Sequence, residues 1–196
     1  MTSRFSLHVQ NWKDCQECGL GQQRNRICLA RGSVPADILF VGEAPGDSEN
    51  VIGQPFVGPA GKLLDQIVRL SVPMVGFGGD GPIYRVAYTN LVACLPRYDG
   101  SFDEPDADDI KACSPRLKEF VGIVRPRLIV AVGALAASYL TGGTKHQIKF
   151  KEPIRTITIT HPSAVLRANI TQRELMIQRA VATVATAVDD MEAPTE

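Results

Sequence analysis

The side chains of this chain that are able to do chemistry follow short apolar segments. Glu43 and Glu49 come after the segment 37–41, Asn90 lies near the end of a second such segment, and His161 follows a fourth. A carboxylate can hold a water molecule or stabilise a cation, and an amide offers both a hydrogen-bond donor and an acceptor. A histidine can donate a hydrogen bond to a developing oxyanion. The set therefore predicts a site that recognises a polar group and stabilises charge.

The elements that position these side chains are strands alternating with helices. Four segments are short, apolar and rich in strand formers: 37–41, 84–92, 128–132 and 156–160. Apolar residues recur at helical spacing in four segments that follow these strands. Two of the segments span 59–70 and 173–188, and the other two end near 124 and near 140. This alternation predicts a parallel sheet with helices on both faces. Because the C-terminal ends of parallel strands share one rim, the four side chains named above are expected to converge there.

Phe56, in the loop after the first strand, adds an aromatic face on which a planar base can stack. Taken singly, each candidate also has an ordinary explanation. Glu43 and Glu49 can be solvated loop acids, and Asn90 can be a turn former. His161 can cap a helix, and Phe56 can belong to the core. Their joint placement at strand ends favours a functional site.

The glycine-rich segment 56–63 matches a phosphate-binding loop only in part. Phe56 stands where a P-loop needs Gly, and Leu63 where it needs Ser or Thr. No G-x-G-x-x-G follows the first strand either. A nucleotide site is therefore not predicted, although Lys62 and the N-terminus of the helix 59–70 can meet one phosphate of a nucleic-acid backbone.

Five cysteines are spread over the chain. Cys15 and Cys18 form a C-x2-C pair, which lets two thiolates chelate one metal or cluster, and Cys94 and Cys113 lie far downstream. Spacing alone leaves zinc, an iron–sulfur cluster and four unrelated thiols open. A thioredoxin-like pair is disfavoured because no strand precedes it. Cys28 stands between two aliphatic residues and is predicted to be buried.

Composition restricts the class of protein. With 196 residues, 44% of them hydrophobic and 21% charged, the chain is expected to form one globular domain over 1–196. Residues 1–36 are a polar, irregular lead-in, and 189–196 a frayed tail. The formal net charge is zero, so no overall field draws the protein to polyanions. Because no signal-peptide core or membrane span is recognisable, we expect a cytoplasmic protein, in which cysteines indicate metal or redox chemistry rather than disulfides.

Several motifs together resemble those of the family 4 uracil-DNA glycosylases. The segment 42–61 is similar to their first motif: it begins Gly42-Glu43-Ala44-Pro45-Gly46 and ends Gly53-Gln54-Pro55-Phe56-Val57-Gly58-Pro59-Ala60-Gly61. Thr89-Asn90 and the segment 161–167, His-Pro-Ser-Ala-Val-Leu-Arg, match the remaining motifs in the expected order. The resemblance extends over nearly the whole chain.

The resemblance implies a fold, a reaction and a cofactor. The fold is α/β, a three-layer α/β/α sandwich around a four-stranded, mainly parallel sheet. The protein would be a monomeric base-excision repair enzyme that flips uracil out of DNA, hydrolyses its N-glycosidic bond and leaves an abasic site, with uracil-containing DNA as partner and no membrane. A [4Fe-4S] cluster would be bound by four thiolates: Cys15, Cys18, Cys94 and Cys113.

The resemblance also implies roles in the uracil pocket. Phe56 would stack on the flipped base, Asn90 would recognise its Watson–Crick edge, and His161 would bond O2 and stabilise the leaving anion. Gly42 and Ala44 would complete the pocket.

Catalysis and DNA contacts are implied for a second set of residues. Glu43 and Glu49 would position the water and stabilise the oxocarbenium-like sugar. Leu166 would fill the gap that the flipped base leaves in the duplex. The remaining DNA contacts would come from Lys62, Ser163 and Arg167.

Two departures from the family pattern are present. Asn50 stands where the family often has Asp, so a second acid is missing, which bears on the rate. The segment 101–109 is acidic where the family is basic, and should repel DNA unless it faces away, leaving Arg97 to meet the backbone. Two alternatives follow: a weak or inactive member that binds uracil-containing or damaged DNA, and a glycosylase for another deaminated base such as hypoxanthine or xanthine.

Overall fold

The computed structural model describes residues 3–73, 83–98, 101–142 and 147–192. In chain order, its strands are β1 (Arg31–Gly32), β2 (Ile38–Gly42), β3 (Val86–Asn90), β4 (Arg97–Tyr98), β5 (Ser101–Phe102), β6 (Leu128–Val132) and β7 (Arg155–Ile159). Its helices are α1 (Arg4–Trp12), α2 (Leu20–Gln23), α3 (Asp47–Ile52), α4 (Pro59–Ser71), α5 (Ala107–Val124), α6 (Ala134–Thr141), α7 (Pro162–Arg167) and α8 (Ile170–Glu192).

The central sheet has five strands in the order β1-β3-β2-β6-β7. The four predicted strands are all present and pair in parallel. The predicted count of four is corrected by β1, a two-residue strand that pairs antiparallel with β3 at the sheet edge. β4 and β5 form a separate antiparallel pair.

Two hydrophobic clusters on opposite faces of the sheet make the fold a three-layer sandwich. Side chains alternate along a strand, so Leu39 and Val41 of β2 join the cluster under α5 and α6. Ile38 and Phe40 join the cluster under α4 and α8. All five residues of β2 and of β6 are buried, as expected for strands covered on both faces.

The predicted irregular lead-in was wrong, because residues 4–12 form helix α1. Ser3 caps it by accepting a hydrogen bond from the Ser6 N–H. Its inward side chains meet α5: Phe5 and His8 contact the ring of Phe120 at centroid distances of 6.0 and 5.5 Å. The helix is therefore fixed by tertiary contacts that its short, mixed pattern does not reveal.

Two further short helices, α3 and α7, lie where the sequence predicted only loops after strands. Each has six residues, too few for apolar periodicity to develop. The predicted helices α4 and α5 are confirmed, while α8 begins at Ile170 instead of 173 and continues past 189 to Glu192. The remainder of the predicted tail lies outside the described residues. No described helix is long and apolar enough to cross a membrane.

Candidate active site

The C-terminal rim of the sheet opens into a cavity of about 360 Å³, called here the rim cavity. The structure brings most of the predicted site residues together around it: Glu43, Ala44, Glu49, Phe56, Asn90, His161, Ser163 and Arg167. The strand register explains this convergence, because Gly42 of β2 lies beside Asn90 of β3, and β6 and β7 end in register at Val132 and Ile159. The lining also includes residues for which the sequence predicted no role: Gly46, Ala60, Glu104, Gly133, Ala134 and Leu135.

Gly42 does not line the rim cavity but allows two of its walls to meet. A Cβ atom at this position would lie 2.5 Å from Oδ1 of Asn90 and 2.5 Å from Cζ of Phe56. Both distances are far below van der Waals contact, so only glycine permits the two side chains to approach here. Gly42 therefore contributes to the pocket by leaving room for the side chains of Asn90 and Phe56.

Phe56 adopts a left-handed backbone conformation, with φ at 57°. A residue with a side chain in this region costs of order 1 kcal/mol and remains so only when its surroundings impose it. Gly61 contributes to that constraint, because a Cβ atom there would lie 1.9 Å from the carbonyl oxygen of Phe56. The ring is buried and packs at a tilt on Tyr88, with a centroid distance of 6.0 Å. One aromatic wall of the cavity is thus held in a fixed position.

His161 presents one defined nitrogen to a ligand. It is the N-cap of α7, and its Nδ1 accepts a hydrogen bond from the Ser163 N–H at 3.2 Å. Burial, together with the positive charge of Arg167, holds the pKa of His161 below its ordinary value. At neutral pH the ring is therefore uncharged, and because Nδ1 is an acceptor, the proton is on Nε2. Gly133 makes room for this ring, since a Cβ atom there would lie 3.0 Å from Cβ of His161.

Glu49 lines the cavity, but its carboxylate is already bound by the backbone. Oε1 accepts hydrogen bonds from the N–H groups of Val57, at 2.8 Å, and Gly58, at 2.7 Å. Oε2 accepts one from the Gly46 N–H at 3.2 Å. The side chain ties the start of α3 to the loop that presents Phe56.

Glu43 differs from Glu49 in that its carboxylate has no hydrogen-bond partner among the residues that the structure describes. Burial raises the pKa of Glu43 to about 6, and the negative charge of Glu104 raises it further. The two glutamates, which sequence alone did not distinguish, therefore have different environments. Glu43 is the carboxylate that is free to hold a water molecule.

Asn50, where the family pattern often has Asp, does not line the rim cavity. Its side chain is buried, and Oδ1 accepts hydrogen bonds from the N–H groups of Asn25, at 2.8 Å, and Arg26, at 3.4 Å. An Asp carboxylate offers the same acceptor. The residue at this position thus anchors the segment 25–26 instead of lining the cavity, and the change from Asp to Asn keeps that anchor.

Part of the acidic segment 101–109 faces the site. Glu104 lines the rim cavity, and Asp106 caps α5 by accepting from the Asp109 N–H. Arg97, expected to meet a DNA backbone, instead forms an ion pair with Asp47 at 2.6 Å. The sequence missed Glu104 because an acidic run resembles any solvated loop.

The residues expected to contact DNA occupy different places. Arg167 is exposed at the rim cavity, and Leu166 lies with Ser163 along a neighbouring groove of about 350 Å³ between the N-termini of α3, α4 and α7. Lys62 is exposed on α4 and lines neither the cavity nor this groove.

A second, small cavity, called here the cysteine pocket, is lined by four of the five cysteines: Cys15, Cys18, Cys94 and Cys113. Among the described residues, none of these four cysteines forms a disulfide. Arg24 lies against it, with Nη1 3.6 Å from Sγ of Cys94 and 2.7 Å from the carbonyl oxygen of Cys15. Across the described residues, no three His, Cys, Asp or Glu side chains form a group that would hold a single metal ion.

Cys28 lies outside the cysteine pocket, as predicted. It is fully buried, and its thiol donates to the carbonyl oxygen of Glu49 at 3.1 Å. Burial raises the pKa of Cys28 to about 12, so it remains a thiol.

Comparison with known proteins shows which family the sequence resembles. Residues 30–185 match the model of the uracil DNA glycosylase superfamily. The type-4 uracil-DNA glycosylase of Saccharolobus solfataricus is 38% identical over 136 residues, which are 69% of this chain and 58% of that protein. That of Sulfurisphaera tokodaii is 35% identical over 166 residues, 78% of this chain and 71% of the relative. That of Thermotoga maritima is 34% identical over 163 residues, with 79% of both chains covered. The chain thus spans 58 to 79% of the length of these relatives.

Proposed function

The chain belongs to the uracil-DNA glycosylase superfamily, and from this premise we propose that it excises uracil from DNA as a monofunctional glycosylase. The observation that supports this most is the position of His161, whose Nδ1 accepts the Ser163 N–H, in the same cavity as the Asn90 amide and the Phe56 ring. An aromatic ring, an amide and a neutral imidazole suit a planar base that has polar edges and leaves as an anion with charge on an oxygen. The substrate would be uracil-containing DNA, and the products uracil and an abasic site.

Recognition of the base would depend on Phe56 and Asn90. The target nucleotide has to leave the duplex, because its glycosidic bond is unreachable within the stack. Once flipped, uracil would stack on Phe56, while the Asn90 amide donates to O4 and accepts from N3–H. Cytosine presents a donor and an acceptor in the reverse order, so the Asn90 amide in this orientation would leave it unpaired. This supports selectivity against the normal base.

Departure of the base would be assisted by His161. As the N1–C1′ bond breaks, its electron pair moves to the base and spreads to O2. A donor already aimed at that oxygen stabilises the charge without reorganisation. The Ser163 N–H bond to Nδ1 fixes the ring and its tautomer, so Nε2–H is the donor available.

Activation of water would fall to Glu43. Its free carboxylate would hold the water whose oxygen bonds to C1′ and would accept the proton that the water loses, while the uracil anion takes a proton from solvent on release. Glu49 would act through its negative charge near the sugar and through the loops it fixes, since its oxygens already accept three backbone N–H groups.

The DNA strand would cross the mouth of the rim cavity near α7. Leu166, beside the groove, would occupy the space of the flipped base, with Arg167 and Ser163 near the backbone. Lys62, one turn into α4, would meet a phosphate farther along. Such contacts make affinity depend on salt, which is a separate check on this surface.

The four thiols of the cysteine pocket suit an iron–sulfur cluster, and we propose a [4Fe-4S] cluster held by Cys15, Cys18, Cys94 and Cys113. Soft thiolates select iron–sulfur clusters or zinc, and the charge of Arg24 beside Cys94 favours anionic ligands. When bound, the cluster would cross-link the segment after α1 with α5 and the chain beyond β3. Iron, sulfide and zinc content of the purified protein decides between the two groups.

The test is uracil release from single-stranded and U·G duplex oligonucleotides, read as alkali-dependent strand cleavage. We expect release by the wild type and its loss in Asn90→Ala and His161→Ala under single-turnover conditions. Full release by both variants would show that the assigned roles are wrong. Oligonucleotides with hypoxanthine or xanthine test the alternative lesion, and binding of uracil-containing DNA without release would identify a binding-only protein.

A further inference from the structure

Arg116 of α5 has a buried charge that forms no ion pair among the described residues. Its side chain is fully buried, and none of the ion pairs found among the described residues includes it. A guanidinium stays charged inside a protein, so burial without an anion is unfavourable. Its Nε is also buried without a hydrogen-bond partner in the part of the chain that the structure describes.

On one side, Arg116 holds the main chain that presents Asn90. Nη2 donates to the carbonyl oxygens of Asn90, at 2.5 Å, and Leu91, at 3.0 Å, and Nη1 donates to Oγ1 of Thr89 at 2.8 Å. β3 ends at Asn90, and the next N–H, that of Leu91, donates to the carbonyl oxygen of Gly42. The guanidinium therefore fixes the point from which the Asn90 amide enters the rim cavity.

On the other side, Arg116 lines the cysteine pocket. Cys113 precedes it by three residues on α5, so the two side chains share one face of the helix. Four thiolates around an iron–sulfur cluster make a site with net negative charge. A loaded cysteine pocket would supply the counter-charge that Arg116 lacks.

We propose that Arg116 is a positioning residue that couples occupancy of the cysteine pocket to the placement of Asn90. This rests on the proposed function for what the pocket holds and for what Asn90 binds. With the pocket loaded, the charge of Arg116 is balanced and the segment 89–91 is held. With the pocket empty of its cluster, the guanidinium is unbalanced and this segment loosens. Because coupling is reciprocal, a ligand bound at Asn90 also makes the cluster harder to remove.

The experiment measures backbone hydrogen exchange in the segment 86–95, in wild type and Arg116→Gln, each before and after iron is removed with a chelator. In the wild type, we expect iron removal to accelerate exchange about tenfold in this segment. In Arg116→Gln, exchange is already fast, and iron removal changes it by less than about twofold. Exchange in β6 is the internal reference, because none of its residues lines the cysteine pocket or accepts one of these hydrogen bonds from Arg116.

Two variants separate coupling from a merely structural effect. Leu117→Ala removes the fully buried neighbour of Arg116, so it lowers the stability of the fold but should keep the full response to iron removal. Arg116→Lys keeps the charge without the planar fork of donors. Arg116→Lys should retain iron like the wild type, while its segment 86–95 exchanges hydrogen at an intermediate rate. If Arg116→Gln does not fold, Arg116→Lys replaces it in the test.

Equal responses to iron removal in the wild type and Arg116→Gln overturn the proposal. An acceleration of exchange in β6 as large as that in 86–95 also overturns it, because such a result indicates global unfolding. A purified protein that takes up no iron overturns it as well. Uracil release is measured in parallel. If exchange behaves as expected but no uracil is released, the proposed function fails and the coupling stands.

Discussion

Two neighbouring glutamates should respond to the same substitution with opposite changes in stability. In the folded protein the pKa of Glu43 rises from 4.5 to about 6, mainly through burial. Its charged form is therefore disfavoured by folding, and a shift of this size corresponds to about 2 kcal/mol at 1.36 kcal/mol per pH unit. Partial solvent access reduces this figure, so we expect Glu43→Gln to raise the free energy of unfolding at pH 7 by about 1–2 kcal/mol.

The pH dependence of this gain follows from the sign of the shift. Below pH 4.5, the unfolded-state value, Glu43 is protonated in both states, and the substitution should have little effect. The gain should appear as the pH rises from 4.5 towards 6, where the unfolded chain ionises more readily than the folded one, and should be complete above about 6. Urea unfolding of wild type and variant between these limits measures it.

Glu49→Gln is the matched control. The Glu49 carboxylate accepts three backbone hydrogen bonds, and the amide of Gln places donors against at least one of these N–H groups. Hydrogen bonds to charged groups are worth about 1.5–3 kcal/mol each, so Glu49→Gln should lower the free energy of unfolding by at least about 1.5 kcal/mol.

The same two variants test the catalytic assignment. If Glu43 acts as a carboxylate, the single-turnover rate of uracil release by the wild type should fall about tenfold per pH unit below pH 6. Glu43→Gln should remove this dependence together with most of the activity. A Glu43→Gln protein that is less stable than wild type at pH 7, or a rate that does not change between pH 5 and pH 7, would refute the reasoning about this carboxylate.

Three further predictions follow from the rim cavity and its surroundings. Gly42→Ala should displace Asn90 and Phe56 by about 1 Å and lower the rate of uracil release about 100-fold under single-turnover conditions. The circular dichroism spectrum should stay native. A rate within twofold of wild type, which corresponds to about 0.4 kcal/mol in the activation free energy, would contradict the close contact at Gly42. Asn50→Asp keeps the acceptor for Asn25 and Arg26, so its rate should stay within about twofold of wild type; a large gain would indicate that the missing acid does limit the rate. Glu104→Gln removes the negative charge that adds to the raised pKa of Glu43, so the midpoint of the pH–rate profile should move to lower pH; a midpoint that moves upward or stays fixed would show that Glu104 does not act on Glu43.

The sequence was sufficient for the parts of the fold that repeat a simple pattern. The strands β2 and β6 are continuous apolar runs because both faces of the sheet are covered there, β3 and β7 are rich in β-branched or aromatic strand formers, and α4 and α5 have apolar residues at helical spacing. The rim on which Glu43, Asn90 and His161 meet follows from parallel pairing alone. The short helices α3 and α7 were missed because six residues hold less than two helical turns.

Side-chain roles within the rim cavity could not be predicted, because they depend on backbone groups distant in sequence. Glu43 and Glu49 are the same residue type in the same loop, and only the folded chain shows that Glu49 is used by the N–H groups of Val57 and Gly58. Arg116 was missed for the same reason: an Arg in the middle of an amphipathic helix resembles a surface residue until its carbonyl partners are placed around it.

The shape of the rim cavity is set by main chain at places where a side chain is missing. Gly42 admits Asn90 and Phe56, Gly61 admits the backbone of Phe56, and Gly133, with φ at 100°, admits His161. Each recognition group therefore packs against the backbone of a neighbouring element and has little freedom to adjust. In a rigid cavity, a donor or acceptor that faces the wrong group of a base cannot move to another partner. Such a cavity therefore rejects a wrong base because polar groups are left unpaired, and not because a loop moves. The range of damaged bases that this protein excises should accordingly be narrow. Substitutions at Asn90 should widen that range, whereas changes in the surrounding loops should not.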